Sequence, residues 1–145
     1  KLVFLQNNFA VYQDYALVGT KGFTFEGPFY LNRRGQILGW DEEREEQAKK
    51  LVAREMERLR ESFRLAKKEG YQKFIMFLHY PPTNILEKNS PFTEIAEEYK
   101  VSAVVYSHCH GESRFGDSIR GNFHGIEYML VSGDYLNFRP AQVLP

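Results

Sequence analysis

The chain has little that would mark it for a membrane, a nucleic acid or an oxidising compartment. One cysteine among 145 residues permits no internal disulfide, and no apolar run approaches the length of a membrane span. The 19 lysines and arginines balance 19 aspartates and glutamates, so no net positive field favours nucleic acid or an anionic membrane surface. No signal-peptide pattern is present either. These absences are typical of a cytoplasmic protein.

The length of the chain suits one domain with a single hydrophobic core. Its first residues already have the composition of a strand, and no methionine precedes them, which predicts that part of the domain lies upstream. Short apolar runs separated by turn residues predict a small β-meander. Its three strands are Leu2 to Leu5, Phe9 to Tyr12 and Tyr15 to Gly19, with turns at Asn7-Asn8 and Gln13-Asp14.

A long loop and a long helix are predicted next. The segment from Thr20 to Gly39 is rich in glycine and aromatic residues, and its rings most simply cover an edge of the core. Asp41 suits the N-cap of a helix. Apolar residues then recur at three- and four-residue steps up to Gly70, which suits the position after a helix C-terminus.

The second half of the chain alternates strand and helix. Lys73 to Leu78 is predicted as a buried strand, Ser90-Pro91 as the start of a helix that runs to Tyr99, and Val101 to Tyr106 as the next strand. This order predicts a parallel pair joined by a right-handed crossover. A final strand is predicted from Glu127 to Ser132.

Three of the four histidines follow these strands. His79 ends the first, and His108 and His110 follow the second. Because parallel strands end at one edge of a sheet, where ligands usually bind, the three are expected to converge there. Imidazole is the commonest transition-metal ligand, so they predict most of one metal shell. The alternatives are a hydrogen-bonded core histidine at position 79 and exposed loop residues at 108 and 110. His124, in a glycine-rich turn, is predicted to be exposed and to lie outside the site.

The same motifs carry a family resemblance. From about Tyr15 to Val143, and most sharply in residues 77–82 (FLHYPP) and 107–111 (SHCHG), the chain resembles the carboxyl-terminal half of the calcineurin-like binuclear metallophosphoesterases. The turn at residues 19–22 (GTKG) and the helix start at Arg44-Glu45 also resemble a bacterial branch of predicted phosphohydrolases. The resemblance implies an α/β sandwich of two mixed β-sheets flanked by helices. Residues 1–145 would then be a single metallophosphoesterase domain that lacks its amino-terminal part.

The resemblance also implies a site and a reaction. His79 and His108 would bind one divalent metal and His110 the other, the metals being manganese, iron or zinc, and these three ligands would be the catalytic residues. The implied function is hydrolysis of small phosphate mono- or diesters by a hydroxide that two metals activate. Arg33, Arg34 and Arg114 are weak candidates for binding the phosphate.

The chain departs from the family pattern in its carboxylates. The family's Asp-x-His, Gly-Asp-x-x-Asp and Gly-Asn-His-Asp elements do not precede His79, and Asp134 follows the His-x-His motif in the wrong order, which favours a structural role for it. The chain alone is therefore expected to bind at most one metal weakly and to be inactive. Its partner would be the missing amino-terminal half or a second copy. Two alternatives are a non-catalytic scaffold of the same fold and an unrelated three-histidine metal-binding module.

Overall fold

The structure is a computed structural model that describes residues 2–23, 42–85 and 88–144. These residues form an α/β fold, in which three helices accompany one mixed six-stranded sheet. The elements are β1 (Phe9–Tyr12), β2 (Tyr15–Thr20), α1 (Glu42–Lys68), β3 (Lys73–Leu78), α2 (Pro91–Glu98), β4 (Ala103–Tyr106), α3 (Glu112–Asp117), β5 (Gly121–Phe123) and β6 (Ile126–Leu130). The strand order is β1-β2-β3-β4-β6-β5. The four central strands are parallel, and β1 and β5 are antiparallel edges.

The amino-terminal meander is only partly confirmed. β1 and β2 form a hairpin whose turn places Gln13 at φ 53°, as predicted. The predicted strand from Leu2 to Leu5 is wrong, because these residues pair with none of the described strands and Leu2 and Phe4 are 79% and 76% exposed. Their apolar pattern fits a strand, but a strand also needs a hydrogen-bonding partner.

Helix α1 has the predicted extent. It ends at Lys68, and Gly70 follows with φ +92°, the left-handed conformation that glycine adopts without strain. Asp41, its predicted cap, lies outside the described residues. Phe63 packs its ring against those of Phe74 and Tyr99, with centroids 5.2 and 4.0 Å away. None of the helices in the described part is both long and apolar enough to cross a membrane.

The parallel crossover from β3 through α2 to β4 is confirmed. Ser90 caps α2, because its hydroxyl accepts from the Phe92 and Thr93 N–H groups while Thr93 bonds back to the Ser90 N–H. The Ser90 hydroxyl also donates to the carbonyl of Pro82 at 2.5 Å. The cap therefore ties the start of α2 to the turn that follows His79.

The two faces of the sheet are buried to different degrees. The larger core lies under α1 and α2 and contains Phe74, Val104 and Tyr128. On the other face Ile75, Ala103 and Val105 are buried, while the side chains around them, Phe77 and Met129 included, are only partly buried. The described residues contain one sheet, and the second sheet of the implied sandwich is not among them.

Candidate metal centre

His79 is held where three parallel strands end. Its N–H and that of Tyr80 donate to the carbonyl of Lys21, just beyond β2, at 3.2 and 3.1 Å. Its own carbonyl accepts from the N–H of Ser107, just beyond β4, at 3.2 Å. The backbone therefore fixes His79 between its two neighbouring strands, at the edge of the sheet where ligands usually bind.

His79 and His108 face each other across the ends of β3 and β4. Nε2 of His79 lies 3.2 Å from Nδ1 of His108, and the ring centroids are 5.0 Å apart. The Ser107 hydroxyl lies 3.5 Å from the other nitrogen of His79. The convergence of these two histidines, which the parallel strand order predicts, is confirmed.

The spacing of the two nitrogens fits a shared cation as well as a direct hydrogen bond. Two imidazole nitrogens that each lie about 2.1 Å from one ion are about 3.0 to 3.4 Å apart, depending on the coordination angle. The observed separation of 3.2 Å lies within that interval. A pair of neutral rings with one N–H between them would have the same separation. His79 and His108 therefore supply two nitrogen donors whose spacing is compatible both with a shared manganese, iron or zinc ion and with a hydrogen bond.

The backbone at His108 is strained. Its φ is +69°, and the Cys109 N–H donates to the Ser107 carbonyl at 2.8 Å, which closes a three-residue turn around it. A turn of this kind with a positive central φ is rare and strained, and side chains other than glycine avoid the left-handed region. The turn projects the imidazole of His108 toward His79 and buries Cys109 completely. Strain of this kind concentrates at functional sites.

The surroundings of His108 favour its neutral form. Burial lowers the pKa of His108, and the nearby His79, Arg114 and His110 lower it further because each can carry positive charge. A neutral imidazole keeps the lone pair that a metal needs. Arg114, which contributes one of these charges, lies on α3. Arg33 and Arg34 lie outside the described residues.

His110 has a different partner. Its Nδ1 lies 2.9 Å from Oδ1 of Asp134, which follows β6. The sequence alone favours a structural role for Asp134, but the structure places its carboxylate against the ring of His110, a predicted site residue. One signal in the sequence could have indicated this contact. If the last strand is parallel to β4, the residues beyond both strands reach the same edge of the sheet.

His124 lies at the other end of the sheet, as expected for a residue outside the site. It occupies the β5–β6 turn, at the amino end of β6, and its Nδ1 lies 2.7 Å from the carboxylate of Glu97 on α2. Its side chain is 56% exposed.

The structure brings only some of the predicted ligands together. Among residues 2–23, 42–85 and 88–144, no three histidine, cysteine, aspartate or glutamate side chains converge closely enough to hold an ion together. Two imidazoles do converge, and His110, on the loop that carries His108, pairs with Asp134 beyond β6. Comparison of the chain with protein-family models, curated proteins and solved structures finds no match.

Proposed function

We propose that this chain carries the histidine-rich part of the site of a metal-dependent phosphohydrolase. The observation that supports the proposal most directly is the pair of imidazole nitrogens, one on His79 and one on His108, 3.2 Å apart at the carboxyl ends of neighbouring parallel strands. The family resemblance of the FLHYPP and SHCHG motifs, in their order and spacing, is a second support for the proposal. The fold proposed for the complete domain is the two-sheet metallophosphoesterase sandwich.

Each residue has a proposed role in hydrolysis of a phosphate mono- or diester. When bound, two divalent ions supply Lewis acidity to the phosphoryl oxygens and lower the pKa of water toward neutrality. His79 and His108 would hold one ion, and His110 would present a nitrogen to the other. Arg114 stabilises negative charge on the phosphate beside His108. The chain itself provides position and charge and no nucleophilic side chain.

The proposed site requires carboxylates from another segment. Two dications held close together without a bridging anion repel each other strongly in a partly buried site. None of the contacts of the described histidines is to a carboxylate that two ions could share. Asp134 is already bonded to the ring of His110 and to the N–H of Gly111. We therefore expect the 145-residue chain to bind at most one ion weakly and to show little activity. Its complement would be an amino-terminal half or a second copy.

Metal binding tests the histidine pair directly. Equilibrium dialysis against zinc or manganese, followed by elemental analysis, should find at most one ion per wild-type chain and none in His108→Ala. His124→Ala is the matched control, because it removes an exposed histidine at the opposite end of the sheet and should bind metal as the wild type does. Equal loss in both variants, or equal retention, would contradict the assignment.

Hydrolysis tests the reaction. Addition of a segment with the Asp-x-His, Gly-Asp-x-x-Asp and Gly-Asn-His-Asp elements should raise the stoichiometry to two ions and produce manganese-stimulated cleavage of an aryl phosphate. His108→Ala should abolish that cleavage. Two bound ions without cleavage would favour a non-catalytic scaffold of the same fold. One ion, unaffected by the added segment, would favour an unrelated histidine metal-binding module.

A further inference from the structure

The carboxylate of Asp134 is held on three sides. Its Oδ1 lies 2.9 Å from Nδ1 of His110 and accepts from the N–H of Tyr135 at 3.0 Å. Its Oδ2 accepts from the N–H of Gly111 at 2.9 Å. The segment after β6 is thereby joined to the loop after β4. Two backbone donors fix the carboxylate, so its orientation toward the ring of His110 does not depend on the ring itself.

This arrangement decides which nitrogen of His110 carries a proton. An ionised carboxylate can only accept hydrogen bonds, so Nδ1 of His110 must be the donor. In the neutral ring Nε2 is then the nitrogen with the free lone pair, and it lies on the side of the ring away from Asp134. The hydrogen bond made by one ring nitrogen sets what the other can do.

We propose that Asp134 is a positioning residue for His110, holding the ring as its Nδ1–H tautomer and directing Nε2 toward the edge of the sheet occupied by His79 and His108. The tautomer follows from the contact between Nδ1 of His110 and the carboxylate. The identification of a metal ion as what Nε2 meets rests on the proposed function. Carboxylate partners of this kind typically raise the basicity of a metal-binding imidazole and fix its orientation.

Asp134 also anchors a loop, and the two roles predict different results. If Asp134 served only to join Gly111 to the chain after β6, the ring of His110 would have no fixed tautomer even in the wild type. Removing Asp134 would then only loosen the loop. If it positions the ring, the wild-type ring has one tautomer. A measurement of tautomers therefore separates the roles without any need for activity.

The first experiment is nitrogen-15 NMR of the histidine side chains in the metal-free chain at a pH where the rings are neutral. His110 should be the Nδ1–H tautomer in the wild type and should shift toward the Nε2–H form in Asp134→Ala. An Nε2–H ring at His110 in the wild type would overturn the inference, even if the variant failed to fold. An unchanged ring in a folded Asp134→Ala would overturn it too.

The chain offers a matched control within the same spectrum. His124 also has a carboxylate on its Nδ1, that of Glu97 at 2.7 Å. Glu97→Ala should shift His124 alone, and Asp134→Ala should shift His110 alone. A shift of both rings in either variant would indicate general loosening of the fold and would contradict a specific positioning role.

The second experiment is a zinc titration of the same proteins together with the added carboxylate segment, since His110 is assigned to the second ion. Asp134→Ala should weaken binding of that second ion by about 10- to 100-fold, while Glu97→Ala should leave it unchanged. If the tautomer shifts and the affinity does not, the positioning role is supported and the assignment of His110 as a ligand is wrong. If the wild type binds no zinc, the proposed function fails, and the tautomer measurement alone decides the inference.

Discussion

At the scale of single residues, the main feature is that a residue other than glycine has a positive φ at the centre of the candidate site. His108 has φ +69° within a turn closed by Cys109. A left-handed residue with a Cβ costs about 1 to 2 kcal/mol. The imidazole at this position is therefore kept at a cost to stability, as expected where function selects the residue.

The first prediction uses this strain. His108→Gly should be more stable than His108→Ala by about 1 kcal/mol in free energy of unfolding, because glycine adopts positive φ without a Cβ penalty. Glu94, exposed on α2, supplies the control pair, where alanine should exceed glycine by about 1 kcal/mol. Urea denaturation of the four variants measures both differences. An alanine variant at 108 as stable as the glycine variant would show that the turn relaxes without strain.

At the scale of elements, the position of the site depends on how closely β2 and β3 approach. Gly19 is paired with Phe77, and a Cβ added at Gly19 would lie 2.6 Å from the Phe77 carbonyl oxygen. Thr20, the next residue, donates its hydroxyl to the buried carboxylate of Glu55 on α1. The end of β2 is thus fixed on two sides, beside the Lys21 carbonyl that receives the His79 N–H.

The second prediction tests this close approach. Gly19→Ala should destabilise the protein by about 1 to 3 kcal/mol, because the backbone of β3 must move to admit the methyl group. Gly116→Ala is the control, since a Cβ there meets nothing within 4 Å and alanine suits a helix better than glycine. Thermal unfolding measures both. Equal unfolding temperatures of the two variants would contradict the prediction, because they would mean that β2 and β3 move apart at no cost in stability.

The elements that local signals specify could be predicted from the sequence. The cap at Ser90, the glycine after α1 and the β3–α2–β4 crossover each follow from a local signal or an established chirality. No local signal specifies the Asp134–His110 contact, because it joins residues that are brought together only by the pairing of β6 with β4. The strand predicted at Leu2 to Leu5 failed for the related reason that periodicity does not supply a partner.

At the scale of the whole molecule, one face of the sheet is covered by α1 and α2 and the other has only a small buried core. This difference separates the apolar residues that the chain covers by itself from those that a partner could cover. Phe74 and Val104 are fully buried on the helix side and need none. Phe77 and Met129 lie on the other face and are partly buried, and Phe4 is 76% exposed.

The third prediction is that the isolated chain associates through this second face, because a partly exposed apolar sheet face is a surface for association. Size-exclusion chromatography with light scattering at micromolar concentration should show species larger than 17.0 kDa. Met129→Lys should shift the chain toward the monomer, because its charge must remain in water. Ala53→Lys, on the exposed side of α1, should not. A cooperatively melting wild-type monomer would show that the chain is self-sufficient.

The complete burial of Cys109 makes this residue a natural reporter of loop opening. The sequence has one thiol, it lies between His108 and His110, and none of it is exposed. A thiol reagent can label it only in molecules whose loop has transiently opened, so the labelling rate measures the opening equilibrium of the segment that bears both imidazoles. Any ligand that bridges those imidazoles to the rest of the sheet should slow the labelling. The dependence of the labelling rate on ligand concentration then gives the affinity of the ligand, and the assay needs no substrate.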